Sequence, residues 1–96
     1  MNIKVTSEAI KHLKDRYNDS NRAFRVMING FGWGGPVFGI VLDEQLEGDH
    51  LEEKEGMKFV VNSDILTQFG TFTIDYISNF FRKGFVVSSS HGGSSC

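Results

Sequence analysis

Seven residues, Gly30-Phe31-Gly32-Trp33-Gly34-Gly35-Pro36, constrain this chain more than any others, because they hold four of its 11 glycines, its only tryptophan and its only proline. Glycine supplies the positive φ and the close backbone approach of a sharp reversal, and proline withdraws an N–H from any ladder. The flanks read as strands. Phe24, Val26 and Ile28 alternate with Arg25, Met27 and Asn29 before the stretch, and Val37 to Leu42 is apolar and rich in β-branched residues after it. A β-hairpin is predicted, with a large ring in the middle of a glycine-rich tip.

Gly30, Gly32 and Gly35 also spell G-x-G-x-x-G. In a dinucleotide site the third glycine opens a helix whose N-terminus meets the pyrophosphate. Pro36-Val37-Phe38-Gly39-Ile40-Val41-Leu42 is too apolar and too rich in β-branched and aromatic residues for the start of an amphipathic helix, so the hairpin reading stands and the nucleotide reading falls.

Ninety-six residues with 40% hydrophobic content suit one modest core and one domain. The chain has no apolar run near the roughly 20 residues of a bilayer span, and Met1-Asn2-Ile3-Lys4 does not begin a signal peptide, so a soluble cytoplasmic protein without a membrane partner is expected. One cysteine makes no internal disulfide, and as the last residue Cys96 suits a ligand or a reactive thiol. The net charge is −2, with seven acidic residues between positions 43 and 55 opposed only by Lys54. That segment reads as a solvated loop and edge strand. The basic residues elsewhere are too few and too dispersed for a nucleic-acid groove.

In chain order, Ile3 to Val5 leans to strand. Thr6-Ser7-Glu8 then starts an amphipathic helix, with Ala9, Ile10, Leu13 and Tyr17 on its apolar face and His12 on its polar face. The strand from Val37 to Leu42 is apolar on both sides, which predicts a central strand covered on both faces, and Gly39 within it marks a bulge or close approach. Met57 to Asn62 alternates as a strand, Asn62-Ser63-Asp64 caps a short helix ending at Gly70, and Phe72, Ile74 and Tyr76 face inward from the next strand. Phe85 to Val87 is the last strand. The expected architecture is α+β: one small domain over residues 1–87, mostly antiparallel or mixed sheet with one N-terminal amphipathic helix and one short second helix, then a flexible serine and glycine tail over 88–96.

The glycine turn followed by Phe38-Gly39-Ile40-Val41-Leu42-Asp43-Glu44, then Val60-Val61-Asn62-Ser63, Ile74-Asp75-Tyr76-Ile77 and Gly84-Phe85, resembles the HesB/IscA/SufA family of A-type iron-sulfur assembly proteins through nearly the whole chain. The resemblance implies a β-rich α+β domain that forms homo-oligomers, holds iron or an iron-sulfur cluster, and meets apo-proteins or assembly machinery. It also implies three cysteine ligands, one in a Gly-Cys-Ser-Gly turn and two in a Cys-Gly-Cys tail. Aligned on those motifs, this chain carries Trp33, Ser90 and Gly92 instead. An indole does not ligate iron.

Two functions follow. One is a divergent carrier of iron or a cluster whose ligands are Cys96 and His91. The other is a cluster-free interaction or regulatory module using Trp33, Gly32 and Gly34 of the Gly30–Pro36 loop, since an aromatic anchor beside flexible glycines is typical of interfaces. An enzyme with Cys96 as nucleophile is disfavoured, because a terminal thiol on a glycine-serine tail has no rigid surroundings to lower its pKa.

Overall fold

The glycine stretch does make a hairpin: β2 (Ala23–Gly32) and β3 (Gly35–Asp43) pair antiparallel, from Ala23 opposite Asp43 to Gly32 opposite Gly35. The structure is a computed structural model and describes residues 2–17, 22–33, 35–81 and 83–90. Around the hairpin lie β1 (Ile3–Val5), α1 (Ser7–Tyr17), β4 (Asp49–Lys54), β5 (Met57–Asn62), α2 (Ser63–Phe69), β6 (Phe72–Ser78) and β7 (Lys83–Ser89). One sheet takes all seven strands in the order β1-β6-β7-β3-β2-β5-β4. The β1–β6 and β2–β5 pairs are parallel and the others antiparallel, so the expected mixed sheet is present.

The sheet curls until its two edges meet. Glu52 on edge strand β4 accepts the backbone N–H groups of Asn2 (2.7 Å) and Ile3 (3.2 Å) at edge strand β1, so a side chain replaces the missing ladder and makes a nearly closed barrel. Inside it, Ile3, Phe24, Val26, Phe38, Phe59, Val61, Phe72, Ile74, Tyr76 and Val87 form one core with Ala9, Ile10 and Leu13 of α1. The alternation of β2, β5 and β6 puts these side chains on one face.

Both helices are capped as their sequences predict. Thr6 Oγ1 accepts the Ala9 N–H at 3.2 Å and donates to Asp75 at 2.7 Å, tying the start of α1 to β6. Asn62 Oδ1 accepts the Asp64 N–H at 2.9 Å at the start of α2, and the Gly70 N–H bonds Leu66 O at the end. The edge of the Phe38 ring packs against Phe69 and Phe72.

Several expectations need correction. The outer face of β3 is open, with Val41 44% exposed, because the barrel interior covers only the Phe38, Ile40 and Leu42 side. The bulge lies in β2 between Ile28 and Gly30 rather than at Gly39, while the close approach expected at Gly39 is made by the Asn29 side chain. His12 does not face water alone: α1 crosses β6 where the Tyr76 ring reaches up, and the two rings stack at 3.6 Å. Strand β7 continues to Ser89, two residues beyond Val87, because Ser89 and Ser88 pair with Phe72 and Thr73. The rest of the tail lies outside the described residues.

Arg25 holds the connection from β3 to β4. Its guanidinium grips Asp49 through two bonds (2.9 and 2.6 Å), Asp43 at 2.8 Å and the Glu44 carbonyl at 2.9 Å. The Asp49 side chain is 1% exposed, and its carboxyl is held below the usual range by the Arg25 hydrogen bonds against the cost of burial.

The Glu52 clasp makes stability depend on pH. Burial pushes its carboxyl up, but His50, the Asn2 N–H and Lys54 outweigh burial and hold it at about 2, against an ordinary 4.5. A lowered folded-state pKa stabilises in full above the unfolded value and less as pH falls through the folded one. Glu52→Gln should therefore cost roughly 1–3 kcal/mol at neutral pH. In urea titrations its difference from the parent should narrow below pH 4.5 and close near 2; a constant difference down to that pH would contradict the clasp.

Candidate functional site

The tip of the β2–β3 hairpin is shaped by the residues that predicted it. Gly30 and Gly35 take φ of 141° and 108°, values that side-chain-bearing residues rarely adopt. Gly32 and Gly35 close the ladder, and Trp33 stands in the turn beyond it. Trp33 is fully exposed and Phe31 is 79% exposed. The indole does not fold back onto its own sheet.

The end of the last strand lies at the same end of the barrel. Strands β3 and β7 are antiparallel with Phe38 opposite Val87, so three residues towards the tip on β3 correspond to three residues towards the C-terminus on β7. The register carries Ser90 level with Gly35. Ser90 is anchored there, its N–H donating to Thr71 O and its hydroxyl accepting the Thr71 N–H, both at 2.9 Å. Trp33 and Ser90, two of the positions aligned with family cysteines, thus share one end of the fold.

Neither is a thiolate, and the Ser90 hydroxyl is engaged by the backbone. These two residues do not fit the three-cysteine ligand set. Among the described residues no group of three His, Cys, Asp or Glu side chains could hold a metal ion. Gly34, His91, Gly92 and Cys96 lie outside the described residues. Of the residues singled out in the sequence, the structure therefore gives positions to Trp33 and Gly32 only.

Sequence reasoning passed over Phe80 and Phe81, which are 95% and 94% exposed at the β6–β7 turn. A signal was available. Two adjacent aromatics at the end of a strand cannot both face the interior, because strand side chains alternate.

The fold is a curled mixed sheet with its edges clasped by Glu52, and it carries the glycine hairpin and the end of β7 at one pole. No protein-family model matches the chain. It is 30% identical over 94 residues to the iron-sulfur cluster insertion protein ErpA of Klebsiella pneumoniae, a stretch that covers 97% of this chain and 82% of that protein. Its fold is similar to that of IscA, crystallised with a 2Fe–2S cluster, at a TM-score of 0.75 and 18% identity over 92% of this chain and 82% of the other. SufA of Escherichia coli gives 0.68 and 20% over 93% and 86%. The chain belongs to the HesB/IscA/SufA family of iron-sulfur assembly proteins.

As the only tryptophan, Trp33 reports directly on the tip. Its emission should be that of a solvated indole, freely quenched by acrylamide, and Trp33→Ala should change stability by less than about 0.5 kcal/mol. A blue-shifted, protected emission in dilute monomer would contradict the exposed tip.

Proposed function

We propose that this chain works in iron-sulfur cluster assembly, taking iron or a cluster as cargo and passing it to apo-proteins, as a carrier rather than an enzyme. The observation that carries the reading is kinship across 97% of the chain to a cluster insertion protein, on a fold that keeps the hairpin tip and the end of the last strand together. The cargo site on this reading is built from the tail. His91 follows the anchored Ser90 directly, and the six residues to Cys96 span at most about 20 Å when extended, within reach of the tip. A cluster takes about four protein ligands, and histidine can replace thiolate at some of them. One chain offers one thiol, so two chains would share the site, each giving Cys96 and His91. A homo-oligomer follows, with apo-proteins or assembly machinery as transient partners.

No described helix is long and apolar enough to cross a membrane. The proposed setting is the cytoplasm, where reducing conditions keep a lone thiol available as a ligand. Neither a membrane nor a nucleic acid is a partner on this reading.

A second reading is favoured by Trp33 alone: a cluster-free interaction module in which Gly32, Trp33 and Gly34 present an aromatic anchor. Anaerobic reconstitution separates the two. A carrier should saturate at one cluster per two chains, with Cys96→Ser abolishing the visible absorption and His91→Ala shifting it. Equal iron and sulfide in Cys96→Ser would end the carrier reading at this site. A colourless, metal-free protein whose partner binding drops by roughly 2 kcal/mol or more in Trp33→Ala would establish the module.

A further inference from the structure

Asn29 and Gly30 form the only Asn-Gly pair of the chain, at the base of the hairpin tip. Asn29 lies on β2, yet no residue of β3 stands opposite it, because the register steps from Ile28 opposite Phe38 directly to Gly30 opposite Val37. On the other side, the pairing of β2 with β5 ends at Val26. Among the described residues Asn29 therefore has no register partner on either neighbouring strand. It is exposed, and its side chain lies against Gly39, with Nδ2 3.7 Å from where a Cβ on that glycine would sit. That side chain makes no hydrogen bond among the described residues. The Asn62 and Asn79 side chains, by contrast, accept the N–H groups of Asp64 and Phe81, both at 2.9 Å. Gly30 has a φ of 141° and open space where a Cβ would lie, so no side chain shields its backbone nitrogen.

We infer that Asn29 is a site of spontaneous succinimide formation, deamidation and backbone isomerisation. The Gly30 amide nitrogen, after losing its proton to hydroxide, attacks Asn29 Cγ. The new N–Cγ bond closes a five-membered ring, the Cγ–Nδ2 bond breaks, and the amide nitrogen takes a proton from water and leaves as ammonia, which regenerates the hydroxide. Water then opens the ring. Opening at Cγ leaves aspartate, and opening at the Asn29 backbone carbonyl leaves isoaspartate, in which the main chain runs through Cβ and Cγ. No electron is transferred, and water is the only co-reactant.

Both products add a negative charge to a chain of net charge −2. Isoaspartate also inserts the Asn29 Cβ into the main chain, at the place where β2 already slips against β3. The pairs beyond it, Gly30 with Val37, Phe31 with Pro36 and Gly32 with Gly35, are those that hold the Trp33 turn. The conversion thus ages the chain at its tip and not in its core. It needs no cargo, so it stands apart from the carrier reading.

Peptide mapping by mass spectrometry on the full, metal-free, folded chain in mildly alkaline buffer tests this. An isoaspartyl carboxyl methyltransferase with labelled S-adenosylmethionine counts the isomerised product. Asn29 should convert at least about tenfold faster than Asn62, the difference that one retained hydrogen bond makes to a rate. Conversion should slow in mildly acidic buffer, and isoaspartate should accompany aspartate. Amide exchange in the isomerised chain should rise at Phe31, Gly32 and Val37 and stay unchanged in β5. Asn29→Asp adds the charge without lengthening the main chain, and its exchange at those positions should stay close to the parent's. Conversion of Asn29 in urea but not in the folded chain, equal rates at Asn29 and Asn62, or aspartate without isoaspartate would overturn the proposal. Parental exchange at the tip of the isomerised chain would overturn its effect on the hairpin.

Discussion

The barrel depends on one carboxylate. A seven-stranded open sheet has two edges, here β1 and β4, and the ladder does not run between them. Glu52 joins them by accepting two β1 backbone N–H groups. It does so as an anion, with His50 Nε2 at 2.7 Å and Lys54 Nζ at 3.1 Å. A neutral side chain of the same shape would leave weaker acceptors for the same donors. The acidic segment thus contains one residue that closes the fold and one, Asp49, that holds its crossover. Its remaining carboxylates stand mostly in solvent, Glu53 and Glu55 among them.

That division shows what the sequence could and could not convey. The hairpin, both helix caps and the inward faces of β2, β5 and β6 were legible, because alternation, capping side chains and glycine act over a few residues. The Glu52 clasp joins positions 50 residues apart, and nothing local distinguishes Glu52 from Glu53 except strand parity. His12 was misplaced for a related reason. Helical spacing puts it off the apolar stripe, and the Tyr76 ring, 64 residues further along the chain, extends the covered surface to reach it. The open face of β3 is not legible because apolar composition predicts burial, while Val41, 44% exposed, shows that a strand can be apolar on a face the described residues leave partly open.

The candidate site was legible in place but not in chemistry. The glycine stretch marks the hairpin tip, and the register of β3 with β7 explains why the end of β7 belongs with it. What occupies the tip is an indole, and what occupies the next aligned position is a hydroxyl committed to Thr71. Fold and ligand set can separate in this way because they rest on different residues. The tip conformation is set by glycine φ values and the barrel by its core, and neither requires a thiol at position 33 or 90.

The two poles of the barrel differ physically as well as in position. At the tip pole, α2 packs Phe69 against Phe38, and the Ser90–Thr71 bonds secure the end of β7. At the other pole, α1 covers Tyr76 and Phe85 through His12 and Arg16, while Phe80 and Phe81 stand exposed at the β6–β7 turn. The two ends thus differ in what holds them: backbone hydrogen bonds and aromatic packing at one, a helix laid over two rings at the other.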